Sequence, residues 1–369
     1  MLPRAASARA GAAGLLLLPL LAVACRNGPP EGTAFLHATI VDPGSRAPRP
    51  GQVLLVRRGR IDTIVPQDGF VLPEKFDTVD LAGGLVVAGL IDAGLIADRP
   101  TLRARLRGGI VAARFLGGPL DSALALRDAV RSGAVLGPRL VVSGALVDGT
   151  PGDDVAFVIT DARSARRAID SLAVAGADFV RLGGRLPASA LRPLFDEARH
   201  FDLHLEGPTG LLGLDGAIDG GLRAIEGTDG FPDLTKLDSA RIDALAERLA
   251  RGRVALIPML ASRDSATRVA FGPLLRAVRR RGGAVLAASG SASGGLHDEL
   301  DALAQAGLAP VELLAAVTRD AARFLGADSL GVLAPGAAAD FLVVSGNPLD
   351  DLRALSKVER VVIGGKELR

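Results

Sequence analysis

Four histidines, one cysteine and four lysines make up all the metal-seeking or tunable side chains of this 369-residue chain besides its carboxylates. The histidines are His37, His200, His204 and His297, and the lysines are Lys75, Lys236, Lys357 and Lys366, set against 39 arginines. Metal-assisted hydrolysis needs histidines and carboxylates that converge from several strand ends. Here Asp92, Asp98, Glu206 and Glu226 offer at most a weak all-oxygen site suited to Mg²⁺ or Ca²⁺. Ser289, Ser291 and Ser293, with His204 as base, are the nucleophilic alternative. No nucleophile elbow accompanies them, and Gly294-Gly295 marks the stretch as an ordinary turn. A lone histidine such as His204 is more often a hydrogen-bonded structural residue than a ligand.

The chain's start points to export. Arg4 and Arg9 precede an apolar run from Gly11 to Ala22, too short to span a bilayer and broken by Pro19. Residues 1–24 therefore read as a signal peptide. Leu21-Ala22-Val23-Ala24-Cys25 is similar to a bacterial lipoprotein box, with its leucine one residue further from the cysteine than usual. Cys25 is the expected lipidation site, and plain cleavage after Ala24 is the bland alternative. Processing at Cys25 removes two arginines and no acid, leaving 345 residues with 41 basic and 41 acidic side chains. No block of like charge suggests nucleic acid or a polybasic membrane patch. The membrane is thus a partner through the lipid alone, and the protein is expected to face the periplasm or the cell exterior. A single cysteine excludes a disulfide framework, so the fold rests on its core.

Beyond a tether at 25–33, residues 34–86 carry β-rich runs broken by Pro43-Gly44, Pro50-Gly51 and Arg58-Gly59. The rhythm then changes to short apolar strands alternating with amphipathic helices. Asp161 can cap a helix whose Ala165, Ala168, Ile169 and Leu172 form a stripe, ended by Gly176 and followed by Phe179–Leu182. Seven more strand candidates are Leu85–Ile91, Gly109–Phe115, Arg139–Val142, Asp202–Leu205, Arg223–Ile225, Val254–Ile257 and Ala284–Ala288. Eight βα units over roughly 245 residues match an α/β fold of the (β/α)₈ TIM-barrel type, with an open doubly wound sheet as the alternative. From Gly331 onward the pattern returns to strands. The expected organisation is a barrel over 87–330 beside a small β-sandwich built from 34–86 and 331–369.

Several segments carry a family resemblance. Gly331-Val-Leu-Ala-Pro-Gly336, Ala338-Ala-Asp-Phe-Leu-Val-Val344 and Gly346-Asn-Pro-Leu349 resemble the closing segment of the amidohydrolase superfamily. The imidazolonepropionase-like and peptidase-like branch fits best. Ala88-Gly-Leu-Ile-Asp92, Gly137-Pro-Arg-Leu140, Gly176-Ala-Asp-Phe-Val180 and Asp298-Glu-Leu300 match further family segments. The resemblance implies hydrolysis of amide-like bonds by one or two divalent metals at the barrel mouth, where the metal makes hydroxide from bound water. It also implies ligands at set places, and most are missing. The His-x-His pair of strand 1 is replaced by Gly94 and Ile96. The strand-4 lysine is replaced by Arg181, the strand-6 histidine by Gly227 and the strand-8 aspartate by Ser291. His204 stands as the single retained position, on strand 5. Arginine is a fixed cation that repels a metal ion.

Two functions remain open from the sequence. One is a pseudoenzyme of the cell envelope that binds or supports, with no metal cofactor. The other is a hydrolase of amide-like carbon–nitrogen bonds, non-peptide or dipeptide, with a rebuilt or metal-poor site. Binding residues in either case are Arg181, His204 and Glu206. Arg181 is expected either to close an internal salt bridge, with Glu206, Glu226 and Asp98 as ready partners, or to grip a small anionic ligand.

Overall fold

The computed structural model describes residues 30–45, 47–144, 146–152, 155–290 and 295–368. The leader, Cys25, Ser291 and Ser293 lie outside the described residues. Among the described residues no helix is long and apolar enough to cross a membrane.

Both chain ends build one sheet. Gly32–Ile40, Arg49–Arg57, Arg60–Pro66, Phe76–Asp80 and Leu85–Ala88 join Phe341–Val344, Val358–Ile363 and Lys366–Glu367 in a continuous eight-stranded array. Strand alternation sends Phe35, Leu54 and Val56 into one apolar cluster and Ala34, Val53 and Leu55 into another. The expected sandwich is thus hydrogen-bonded as a single sheet with an apolar cluster on each face.

The strand expected over Leu85–Ile91 is two strands. Leu85–Ala88 pairs with Phe341–Val344 in the terminal sheet, whereas Leu90–Leu95 opens the barrel. Gly89 divides them because a β-carbon there would lie 2.3 Å from Val111 Cγ1. The boundary expected after residue 86 therefore falls at Gly89. Asp340 fastens the two parts: its backbone oxygen accepts from Gly89 at 3.0 Å and its carboxylate pairs with Arg139 of the barrel.

Seven parallel barrel strands follow in order: Leu90–Leu95, Ile110–Phe115, Arg139–Val142, Val180–Arg181, Leu205–Gly207, Ala224–Glu226 and Ala255–Ile257. They form a three-stranded and a four-stranded ladder rather than one closed ring. The eighth run, 284–290, makes only isolated bridges, Leu256↔Val285 on one side and Leu95↔Gly290 on the other. Between the third and fourth strands, Asp178 bonds both backbone groups of Val142, at 2.8 Å each. An inserted pair, Leu146–Asp148 and Val155–Val158, meets the fourth strand through a Val147↔Leu182 bridge.

Helices cover the outside, and one of them has the cap its residues suggest. Asp161 accepts from Ser164 N at 2.7 Å in a capping box, and the helix Ala162–Ala175 stops at left-handed Gly176. It buries Ala165, Ala168, Ile169 and Leu172, the expected stripe.

Candidate functional site at the barrel mouth

Strand parity divides the barrel wall into two faces. Ile91, Ala93, Ala112, Ala224, Ala255, Ile257, Leu286 and Ala288 point inward and form one cluster. Their neighbours Ala113, Val180, Leu205, Ile225 and Leu256 pack outward among the helices. Five of these eight are alanines, which leave space in the barrel interior for a larger side chain. Arg114 fills it. It follows Ala112 on the inward face of Ile110–Phe115, is 1% exposed, and is the largest fully buried side chain among the described residues.

Arg114 organises the charges around it. Its Nη2 donates to Glu226 Oε1, and its Nε lies 2.9 Å from Glu206 Oε2. That second contact is an ion pair without hydrogen-bond alignment, and Nη1 has no hydrogen-bond partner. The guanidinium carbon also sits 4.8 Å from the Phe179 ring centroid and 5.7 Å from that of Phe324. Arg181 completes the group: its Nε donates to Glu226 Oε2 at 3.0 Å and its Nη1 to Leu116 O at 3.3 Å.

The two glutamates have different acidities. Burial pushes Glu206 up to about 7; Arg114 draws it down, and Glu226 raises it further. Burial acts the same way on Glu226, but Arg114 and Arg181 outweigh it and hold that carboxyl below its ordinary value. Glu226 is therefore the fixed anion between two guanidiniums, and Glu206 is the group that gains or loses a proton near neutrality. Arg181, with 21% of its side chain exposed, is the member of the cluster that reaches solvent.

Several sequence expectations change here. Of the partners expected for Arg181, Glu226 is the one it pairs with; Glu206, opposite it in the ladder, pairs with Arg114 instead. His204 is not at the mouth. Two residues before Glu206, it lines a cleft at the opposite end of the barrel, where Arg223 Nη1 contacts its Nε2. Burial, and then Arg223, lower its pKa. Asp92 faces the helix side of the wall, accepting from Gly94 N at 2.9 Å, Ser289 N at 3.0 Å and Ser289 Oγ at 2.5 Å. Ser289 therefore clips two strands together and is turned away from His204. Asp98 caps a turn by accepting from Thr101 N. The four carboxylates proposed as an oxygen site are thus not brought together. His297 lines a separate cleft with Asp301, Asp351 and Arg353.

The residues present do not fit the metals that the family resemblance implies. Ile96 and Gly94 supply no donor, and a β-carbon on Gly94 would press on Ala288 Cβ and Leu116 Cδ1, both at 3.0 Å. Gly227, at φ +80°, has Arg263 Nη2 3.9 Å from where a β-carbon would stand. The two inward carboxylates are engaged by two guanidiniums. Among the described residues, no three His, Cys, Asp or Glu side chains are grouped as a metal site requires. Ser291 lies outside the described residues.

Arg114 belongs to no motif of the sequence. Its signal is a lone charge within Ile-Val-Ala-Ala-Arg-Phe, on the parity of a small inward alanine.

The sequence profile of the Amidohydrolase family matches residues 101–368. A comparison with curated protein sequences returns no match. Among solved structures, a putative prolidase from Bifidobacterium longum superposes with a TM-score of 0.77 at 25% identity, covering 92% of this chain and 94% of that one. A Xaa-Pro dipeptidase with bound methionine in its active site gives 0.75 at 18% identity, covering 92% and 100%. Molinate hydrolase gives 0.74 at 16% identity, covering 92% and 95%.

Proposed function

The chain belongs to the amidohydrolase family, and from that premise we propose that its barrel mouth is a rebuilt site that holds small carboxylate-bearing amides without the family's metals. The observation that carries this reading is the Arg114–Glu206–Glu226–Arg181 cluster. Buried charges persist only when paired, and this set is paired except at its outer edge. There the Arg181 guanidinium spends Nε on Glu226 and a long Nη1 bond on Leu116 O, leaving Nη2 without a hydrogen-bond partner among the described residues. A ligand carboxylate can approach that edge and accept from it.

Family membership and the similarity to prolidases favour, over holding alone, a hydrolytic reading of the same site: cleavage of an amide-like carbon–nitrogen bond. In that reading Arg181 anchors the substrate carboxylate. Glu206, whose pKa of about 7 lets it exchange a proton at neutrality, serves as general base.

One experiment separates the two. A panel of dipeptides ending in proline and of N-acyl amino acids is titrated calorimetrically, and product release is followed by mass spectrometry. Binding that Arg181→Gln abolishes, with no product, is the holding protein. Product release that Glu206→Gln abolishes while binding persists is the hydrolase. Absence of binding by any member overturns both.

The sequence supports one further proposal, that the mature chain is an exported lipoprotein held to the membrane through Cys25.

A further inference from the structure

At the end of the barrel opposite the mouth lies a cleft of about 980 Å³. It opens where the chain enters the fifth to eighth strands, and the last helix, Arg319–Phe324, forms its far wall. In barrels of this class the N-terminal end ordinarily serves stability, and ligands sit at the other end. This one is lined by five arginines (Arg223, Arg253, Arg279, Arg319 and Arg323) and by a single acid, Asp320.

The arginines are not neutralised by their surroundings. Arg279 and Arg319 share Asp320, at 2.5 and 3.0 Å. Arg279 Nε is buried with no hydrogen-bond partner. Arg223 donates to Phe324 O at 2.5 Å and contacts His204, which bears no negative charge. The side chains of Arg253 and Arg323 have no ionic or hydrogen-bonding partner among the described residues. Five arginines thus share one lining acid in a single half-open space, where low-dielectric walls strengthen their field.

The backbone at Arg253 adds an independent sign. The turns into the sixth and eighth strands place a left-handed glycine just after the helix, Gly221 at φ +90° and Gly282 at φ +74°, and the turn into the fifth places Asp202 there at φ +55°, a short polar residue that tolerates this region. The corresponding place before Ala255–Ile257 is held by Arg253 at φ +53°, a conformation that disfavours a side chain. A long cation kept where glycine would be easier marks a residue whose side chain is needed.

We propose that this cleft binds a small polyanion carrying at least two phosphate groups. The uncompensated charge calls for more than one anionic centre, and guanidinium forks match phosphate oxygens two at a time. A free diphosphate and a lipid headgroup bearing two phosphates both present such paired anionic centres.

Calorimetric titration with inorganic pyrophosphate at low ionic strength tests this. Wild type is expected to bind, and an Arg253→Ala/Arg323→Ala variant to lose at least tenfold in affinity. Arg192→Ala, at an exposed helix position, should leave affinity unchanged. Arg253→Gly provides a second readout, since it should melt at a higher temperature than wild type yet bind pyrophosphate more weakly. Sedimentation with phosphatidylcholine vesicles containing cardiolipin distinguishes the sources. Capture that pyrophosphate competes away assigns the headgroup, and pyrophosphate binding without capture assigns the free ligand. No pyrophosphate binding by wild type, or binding unaffected by the double substitution, overturns the proposal.

Discussion

Arg181 and Glu206 face each other across two hydrogen-bonded strands, yet the Arg181 guanidinium turns away to Glu226, 3.0 Å off. The reason is Arg114, which has already taken Glu206 from inside the barrel. Two cations and two carboxylates thus alternate through the mouth, and each substitution in the set has a distinct expected consequence.

Arg114→Met leaves Glu206 and Glu226 buried with half their compensation. The loss of stability should be about 3–5 kcal/mol, read by chemical denaturation. The double variant Arg114→Met/Glu206→Gln should recover much of that loss, because Arg181 still serves Glu226. A single substitution costing under about 0.5 kcal/mol, the usual range for surface changes, would contradict the cluster's role.

Ligand capture at Arg181 should depend on Glu206. Below about pH 7 Glu206 is protonated and the cluster carries a net positive charge; above it the four charges cancel. Carboxylate binding should therefore weaken as pH rises through 7, and Glu206→Gln should flatten the profile. A wild-type profile without an inflection near 7 would count against this assignment.

Glu299 gives a cleaner linkage test. It is buried, accepts from Ala261 N at 2.7 Å, and leaves Oε1 unpartnered, with burial pushing its pKa up to about 7. The folded state therefore holds this proton between its ordinary value of 4.5 and about 7, where the unfolded chain has lost it. Stability must fall as pH rises across that window. Relative to Glu299→Gln, wild type should lose melting temperature from about pH 4.5 to 7 and run parallel above about 8. Parallel curves throughout would show that Glu299 ionises normally.

How far residues alone disclose this arrangement depends on range. The helix Ala162–Ala175 was legible because cap, stripe and terminating glycine lie within one local span. Strand positions were legible as apolar runs, but their heights were not. Taking His204 instead of Glu206 as the mouth residue is an error of two positions, which keeps the face and shifts the level by about 6.6 Å. Arg114 was missed for a similar reason. Its partner Glu226 is 112 residues away, and nothing local tells a buried arginine from an exposed one. The break at Gly89 is likewise set by a contact with Val111 from the next strand.

The proposed anchor has its own test. Cys25→Ser in a bacterial host should abolish fatty-acid labelling and release the protein from the membrane fraction. Unchanged partitioning would remove Cys25 from the account.

Metal content is the most direct test of the central claim, that guanidiniums now occupy the mouth in the metals' stead. The purified chain, equilibrated with Zn²⁺ or Mn²⁺, desalted and assayed by mass spectrometry, should retain well under one equivalent. One or two tightly held equivalents, lost together with catalytic turnover on chelation, would contradict it.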